Sequence, residues 1–347
     1  MTTPSHYNPV TPIFLLSVVV PVYNEESVLG AMHQRLSRVM DELGMPWEVI
    51  YVNDGSSDAT LSLIRDLQQS NKNVALIDLS RNFGKEIALT AGLDHANGDA
   101  VVVIDADLQD PPELIPKLLE RWRAGYDIVS AVRTKRNGES WLKKLTAYGF
   151  YRVIGYANAI AIPSDTGDFR LLSRRAVLAL RQLRERHRFM KGLFVWVGYR
   201  QTSVTYERDA RYAGHSKWGY WRLWNFALDG ISSLTTFPLK LSTYVGLITA
   251  CGAFLYGLVM VGRTLVYGNP VAGYPSLLVV VLFLGGIQLM SLGVMGEYLG
   301  RMFDETKRRP LYLIATYEPA HEMVNAASEV SVRPFGVVSQ LTGTQKS

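Results

Sequence analysis

The chain has 347 residues, with 36 Lys plus Arg, 31 Asp plus Glu and 48% hydrophobic residues; the charged share of only 19% excludes a disordered or coiled-coil protein. Its single cysteine, Cys251, excludes an internal disulfide framework and any zinc site built on several cysteines. The net charge of +5 fits nucleic acid, an anionic membrane surface or a phosphate-bearing substrate and does not choose among them.

Residues 1–12 hold no Lys or Arg, and the apolar run at 13–20 stops at Pro21, so the start reads as a buried strand and not as a signal peptide. From there to about residue 230 short apolar runs alternate with helical patterns. LLSVVVPV, WEVIYVND, NVALIDLS, DAVVVID and YDIVSAVR read as strands, and the stretches near 25–42, 58–70, 85–97 and 112–124 as helices. Asp58 is the expected N-cap of the second helix, and Pro111-Pro112 suits the first turn of the fourth. Such alternation predicts an α/β fold: a doubly wound, mostly parallel sheet covered on both faces, with ligands beyond the carboxyl ends of its strands.

Three strand ends are polar: Pro21-Val22-Tyr23-Asn24-Glu25-Glu26, Asn53-Asp54-Gly55-Ser56-Ser57-Asp58 and Asp105-Ala106-Asp107-Leu108-Gln109-Asp110. No GxGxxG follows the first strand and no GxxxxGK[ST] occurs, so dinucleotide and ordinary NTPase loops are not indicated. In an extended segment Asp105 and Asp107 share a face, and two such carboxylates are costly without a cation between them. A hard divalent ion bridging a nucleotide diphosphate answers that cost, with Gln109 at the next i+2 position adding an oxygen; the bland alternative is a solvated acidic turn. Asp54 lies where a nucleoside would sit, its carboxylate accepting hydrogen bonds from ribose hydroxyls or a base N–H, or is a turn former before Gly55. Glu25 and Glu26 equally suit a helix N-terminus.

Residues 217–237 place Trp218, Trp221, Trp224, Leu228 and Ile231 at helical steps, an amphipathic helix for a membrane interface; 141–160 is a second candidate, or a core helix. Residues 241–261 and 274–296 carry no charge, and each is about 20 residues, enough to cross roughly 30 Å of hydrocarbon. Two buried core helices are the alternative. Lys240 precedes the first run, Arg301, Lys307, Arg308 and Arg309 follow the second, and Arg263 alone lies between them, which puts both termini in the cytoplasm. Gly285, Gly286, Gly293 and Gly296 in the second run permit close helix packing and point to a homo-oligomer.

PVYNEE, VNDGSSDAT, DADLQDPPE, GDFRLLSR and RYAGHSKW together resemble family-2 glycosyltransferases with a GT-A, Rossmann-like fold, in the polyprenyl-phosphate branch of bactoprenol glucosyltransferases and dolichyl-phosphate mannose synthases. GEYLGRMFDETKRRPLY after the second apolar run resembles the two-span bacterial glucosyltransferases, and the likeness covers roughly residues 15–315. It implies inverting transfer of a single hexose, from UDP-glucose in that subgroup, to polyprenyl phosphate for cell-envelope glycan modification, with Mg2+ or Mn2+ as cofactor and no nucleic acid. It further implies that Pro21, Tyr23, Glu25, Asp54, Asp105 and Arg133 contact the nucleotide sugar. Asp105, Asp107 and Gln109 would hold the metal, and Asp105, Asp107 and Asp168 would serve catalysis. Arg170, Arg211, Ser216 and Lys217 would bind the acceptor phosphate. The implied layout is a cytoplasmic catalytic domain over 1–216, an interfacial region over 217–240, two transmembrane helices over 241–300 and a cytoplasmic tail over 301–347, in a bacterial inner membrane. Two rivals are a non-catalytic flippase subunit or scaffold, and a processive polysaccharide synthase, which the lack of a QxxRW element disfavours.

Overall fold

The structure, a computed structural model, describes residues 14–133, 166–206, 237–267 and 273–320. The 141–160 segment, nearly all of 217–237, and Arg211, Ser216 and Lys217 lie outside those residues.

The five apolar runs form strands β1 (Leu16–Val22), β2 (Trp47–Asn53), β3 (Val74–Leu79), β4 (Ala100–Val103) and β5 (Ile128–Arg133). Three more join them: β6 (Thr166–Ser173), β7 (Gln201–Tyr206) and β8 (Ile314–Glu318). The sheet order is β7-β5-β6-β4-β1-β2-β3-β8. The strands from β4 through β3 are mutually parallel, as are β5 and β7. β6 runs antiparallel to β4 and β5, and β8 antiparallel to β3. The expected mostly parallel sheet is therefore present, with two reversed strands added. Because β6 is reversed, its first residues lie at the edge where β4 ends.

The helices are α1 (Leu29–Leu43), α2 (Thr60–Ser70), α3 (Lys85–His95), α4 (Ile115–Arg123), α5 (Arg174–Gln182), α6 (Met190–Trp196), α7 (Phe237–Tyr267) and α8 (Tyr274–Thr306). The period-2 alternation of strands sends Val18, Val20 and Val22 to the face packed by Leu29, Met32 and Leu36 of α1 and Leu118 of α4. Val19, Val101 and Val103 face Leu89 of α3, Val177 of α5 and Phe194 of α6. Each such buried aliphatic side chain contributes about 2 kcal/mol of transfer free energy. Gly92 lets α3 lie on β1, since a Cβ there would stand 2.2 Å from Val19 Cγ1. Two helix starts differ in detail from expectation. α2 is capped by Ala59, not Asp58, whose carboxylate instead accepts the Thr60 N–H at 3.0 Å and the Glu26 N–H at 3.3 Å, tying two loops together. Pro112 opens a 3-10 turn, Pro112–Leu114, that runs into α4.

α7 and α8 have 31 and 33 residues, roughly 46 and 50 Å at 1.5 Å per residue. Among the described residues one 18-residue helical window, Ser242–Val259 with mean hydropathy 1.5 and none of it buried, is long and apolar enough to cross a membrane. Both helices expose large apolar side chains, among them Ile248, Phe254, Phe283 and Leu289. They pair with each other, with Ser242 Oγ 2.8 Å from Ser291 Oγ. A Cβ at Gly285, Gly286, Gly293 or Gly296 would meet nothing within 4 Å, so these glycines are not what allows the pairing.

The end of α8 is charged and reaches the α5–α6 loop. Glu305 Oε1 accepts the Arg186 N–H at 2.7 Å, His187 Nε2 lies 3.3 Å from Asp304 Oδ2, and the Arg186 guanidinium donates to the Arg309 carbonyl. The chain then passes Tyr312, whose hydroxyl donates to Asp94 Oδ2 at 2.8 Å, and enters β8. Thus 301–347 is not a tail throughout, because Ile314–Glu318 completes the sheet. Ile314 pairs with Leu79 and Glu318 with Leu76, so α8 returns to the sheet at the carboxyl end of β3.

Candidate active site

The loops after β1 and β2 are laced together. Asn24, at φ 54°, gives its N–H to Ser56 Oγ at 3.0 Å and accepts the Ser57 N–H on Oδ1 at 2.8 Å. The Glu25 N–H donates to Thr60 Oγ1 at 2.9 Å, and Glu26 Oε2 accepts the Ala59 N–H at 2.9 Å. This holds Pro21, the exposed Tyr23 and Glu25 at the carboxyl edge of the sheet.

Asp54 is only 3% exposed, and its carboxylate is engaged: Oδ1 accepts the Phe83 N–H at 2.6 Å and Oδ2 the Gly84 N–H at 2.9 Å. Burial raises this carboxyl above its ordinary range, against the two N–H groups and the nearby Arg81. Gly55, at φ 66°, lies flat on the same segment, where a Cβ would stand 2.5 Å from the Asn82 nitrogen. The end of β2 thereby anchors the 81–84 loop, and that loop delivers Lys85 as the first residue of α3.

The register aligns Val103 of β4 with Arg170 of β6. Two residues onward in one strand and two back in the other stand Asp105 and Asp168. The Lys85 ammonium sits between them, 2.6 Å from Asp105 Oδ1 and 2.6 Å from Asp168 Oδ2. Burial and the neighbouring Asp168 and Asp110 carboxylates push Asp105 above the usual carboxylate range in spite of Lys85. Burial would raise Asp168 too, but Lys85, Lys191 and Arg170 hold it far below that range, so it is ionised at neutral pH.

Beyond Asp105 the chain makes a left-handed turn at Leu108, φ 58°, a conformation few non-glycine residues adopt. The Gln109 N–H donates to Asp107 Oδ1 at 3.1 Å, and the buried Gln109 Oε1 has no hydrogen-bond partner. Tyr206, at the end of β7, donates its hydroxyl to Asp110 Oδ1 and pins the far side of the turn. The Asp105 and Asp107 carboxylates and the orphaned Gln109 Oε1 are oxygen donors, the kind that suits a hard divalent cation. Among the described residues no three His, Cys, Asp or Glu groups form a metal cage.

Arg170, for which the sequence implied an acceptor-phosphate role, lies at the start of β6 beside Asp168. It is 2% exposed, donates to the Gly167 carbonyl at 2.7 Å and the Asp168 carbonyl at 3.3 Å, and stacks 3.9 Å over Phe194. Its guanidinium braces the start of β6 from behind. Arg133 is the last residue of β5.

Sequence reasoning missed Lys85 and Glu86. A lysine opening a helix opposes the macrodipole, and that oddity was a usable signal for Lys85; Glu86 in a first turn is ordinary.

Residues 17–181 match the family described as glycosyl transferase family 2. The uncharacterized glycosyltransferase sll0501 of Synechocystis is 56% identical over 300 residues, which cover 86% of this chain and 94% of that one. The chain belongs to glycosyl transferase family 2. Bactoprenol glucosyl transferase of Shigella phage SfV is 50% identical to this glycosyltransferase, covering 86% of this chain and 97% of its own. The uncharacterized glycosyltransferase YkcC of Bacillus subtilis is 47% identical, covering 86% and 92%. The family match includes the glycosyltransferase's carboxylate turn, Lys85 and Asp168.

Glu86 flanks this centre and accepts the Met190 N–H on Oε2 at 3.1 Å. Burial and then the Asp168 charge push its carboxyl up to about 7, against Lys85, the Met190 N–H and Lys191. The folded glycosyltransferase therefore holds this proton more tightly than the unfolded chain, where the ordinary value is 4.5. The associated stabilisation is complete below the unfolded value and is lost as the pH rises through the folded one. Glu86→Gln stays neutral and keeps an acceptor for Met190. Its melting temperature should exceed that of the wild type by a few degrees near pH 8 and match it near pH 4; a difference that did not change with pH would contradict this reading.

Proposed function

We propose that this glycosyltransferase moves one hexose, from UDP-glucose in the first instance, onto a polyprenyl phosphate at a membrane, for cell-envelope glycan modification. The observation that carries the reading is the coincidence of two features at one edge of the sheet. The carboxylate centre lies there, and α8 with its apolar flank returns there through β8. A water-soluble donor and a lipid phosphate meet most directly at such an edge. The relatives named bactoprenol glucosyl transferase support the same acceptor.

In this reading Pro21, Tyr23, Glu25 and Arg133 surround the donor, and Asp54 acts by holding the 81–84 loop beside it. Asp105, Asp107 and Gln109 Oε1 would hold Mg2+ or Mn2+, which when bound offsets the charge of the departing diphosphate. Asp168, kept ionised, stabilises the positive charge that develops on the sugar ring. The acceptor phosphate is already anionic and needs no strong general base; Arg211, Ser216 and Lys217 supply its hydrogen bonds and charge. Arg170 enters as the brace of Asp168. A single displacement inverts the anomeric centre.

The same reading gives a catalytic body over 1–216, an interfacial segment over 217–240 and two spans within 241–300, with both termini on the cytoplasmic side of a bacterial inner membrane. The test is transfer by the detergent-purified chain from a panel of labelled nucleotide sugars to undecaprenyl phosphate with Mg2+ or Mn2+. An organic-soluble sugar lipid is expected, most from UDP-glucose. No such product from any donor would sink the proposal.

A further inference from the structure

The metal reading above leaves a conflict in the geometry, because Asp105 is wanted by a divalent cation and is already held by Lys85. We propose that the Lys85 ammonium is a built-in substitute for the metal: it holds Asp105 beside Asp168 in the metal-free protein and releases Asp105, keeping Asp168, when metal and sugar nucleotide enter. This rests on the reading of Asp105 as a metal ligand.

Four observations carry it. Lys85 Nζ is 2.6 Å from both carboxylates, which follow directly on the last β4–β6 pair, Val103 with Arg170. Two unscreened carboxylates that share a cation repel once it is gone, so a positive charge stabilises the ionised pair. The backbone of Lys85 is fixed, because Asp54 grips the two preceding N–H groups. Its side chain is nonetheless 44% exposed and ends in a compact charge on a flexible stem, so the ammonium can shift while the helix start stays put. Lys85 is thus a positioning residue that acts through the two acids, and it sets a threshold for metal uptake. Metal alone competes with the ammonium for Asp105, whereas a diphosphate brings the extra negative charge that tips the exchange.

The test reads free Mn2+ by electron paramagnetic resonance during titration of the full-length chain in detergent, with and without UDP. Without UDP, Lys85→Gln should bind Mn2+ about tenfold or more tightly than the wild type, since a positive charge beside the cation is gone. Lys85→Arg should bind it as weakly as the wild type. With UDP the gap between Lys85→Gln and the wild type should narrow. The double variant Lys85→Gln/Asp168→Asn removes the acid together with its counterion. It should also bind Mn2+ more tightly than the wild type, and it serves if the single variant does not fold. A folded Lys85→Gln, or double variant, with unchanged or weaker Mn2+ affinity overturns the inference alone. A wild type that takes up no Mn2+ even with UDP overturns the metal reading and this inference together.

Discussion

Replacing Asp107 with alanine is expected to lower sugar transfer by roughly a thousandfold, about 4 kcal/mol of transition-state stabilisation. The fold should survive, because the Asp107 carboxylate accepts a local bond, from the Gln109 N–H. The measurement pairs initial rates with a thermal melt. Lost turnover with a melting temperature within a degree or two of the wild type is the expected pair. Turnover within tenfold of the wild type would remove Asp107 from the metal set. Asp105→Asn should be just as inactive but less informative, since it also breaks the ion pair with Lys85.

The second large effect is expected at Asp54. Alanine there strands the Phe83 and Gly84 N–H groups, each a partly buried donor whose lost partner costs about 1 kcal/mol. The variant should melt several degrees lower, and transfer should fall with it because Lys85 is no longer delivered between Asp105 and Asp168. Asp54→Asn retains one acceptor oxygen and should fall between the two. If Asp54→Ala melted like the wild type and lost only affinity for the nucleotide, Asp54 would be a donor contact and not a loop anchor.

The parallel core was readable because β1 to β4 are almost wholly buried and so appear as mostly apolar runs. β6 was read as the motif GDFRLLSR and not as a strand, since Asp168 and Arg170 interrupt its hydrophobicity; Asp168 meets Lys85 only in the folded protein. β7, QTSVTY, alternates exposed and covered positions at an edge and looks like any polar loop. β8 pairs with a strand more than 200 residues earlier, which no local pattern announces. The acids of the site were legible because strand ends in such sheets converge. What converges with them was not. Lys85 is one of 36 Lys and Arg residues, and only the register of β4 with β6 shows why it matters. Arg170 is similar: sequence shows its charge, whereas the fold shows the guanidinium donating to the Gly167 and Asp168 carbonyls.

The closing strand also changes what trimming would do. A version of the chain ended at Arg309 would bare the hydrogen-bonding rim of β3, where Leu76, Ile77 and Leu79 are fully or almost fully buried. A naked apolar rim of that kind recruits strands from other molecules. The protein would not simply lose an appendage: it would become sticky, and the end of α8 would keep only its polar contacts with the α5–α6 loop.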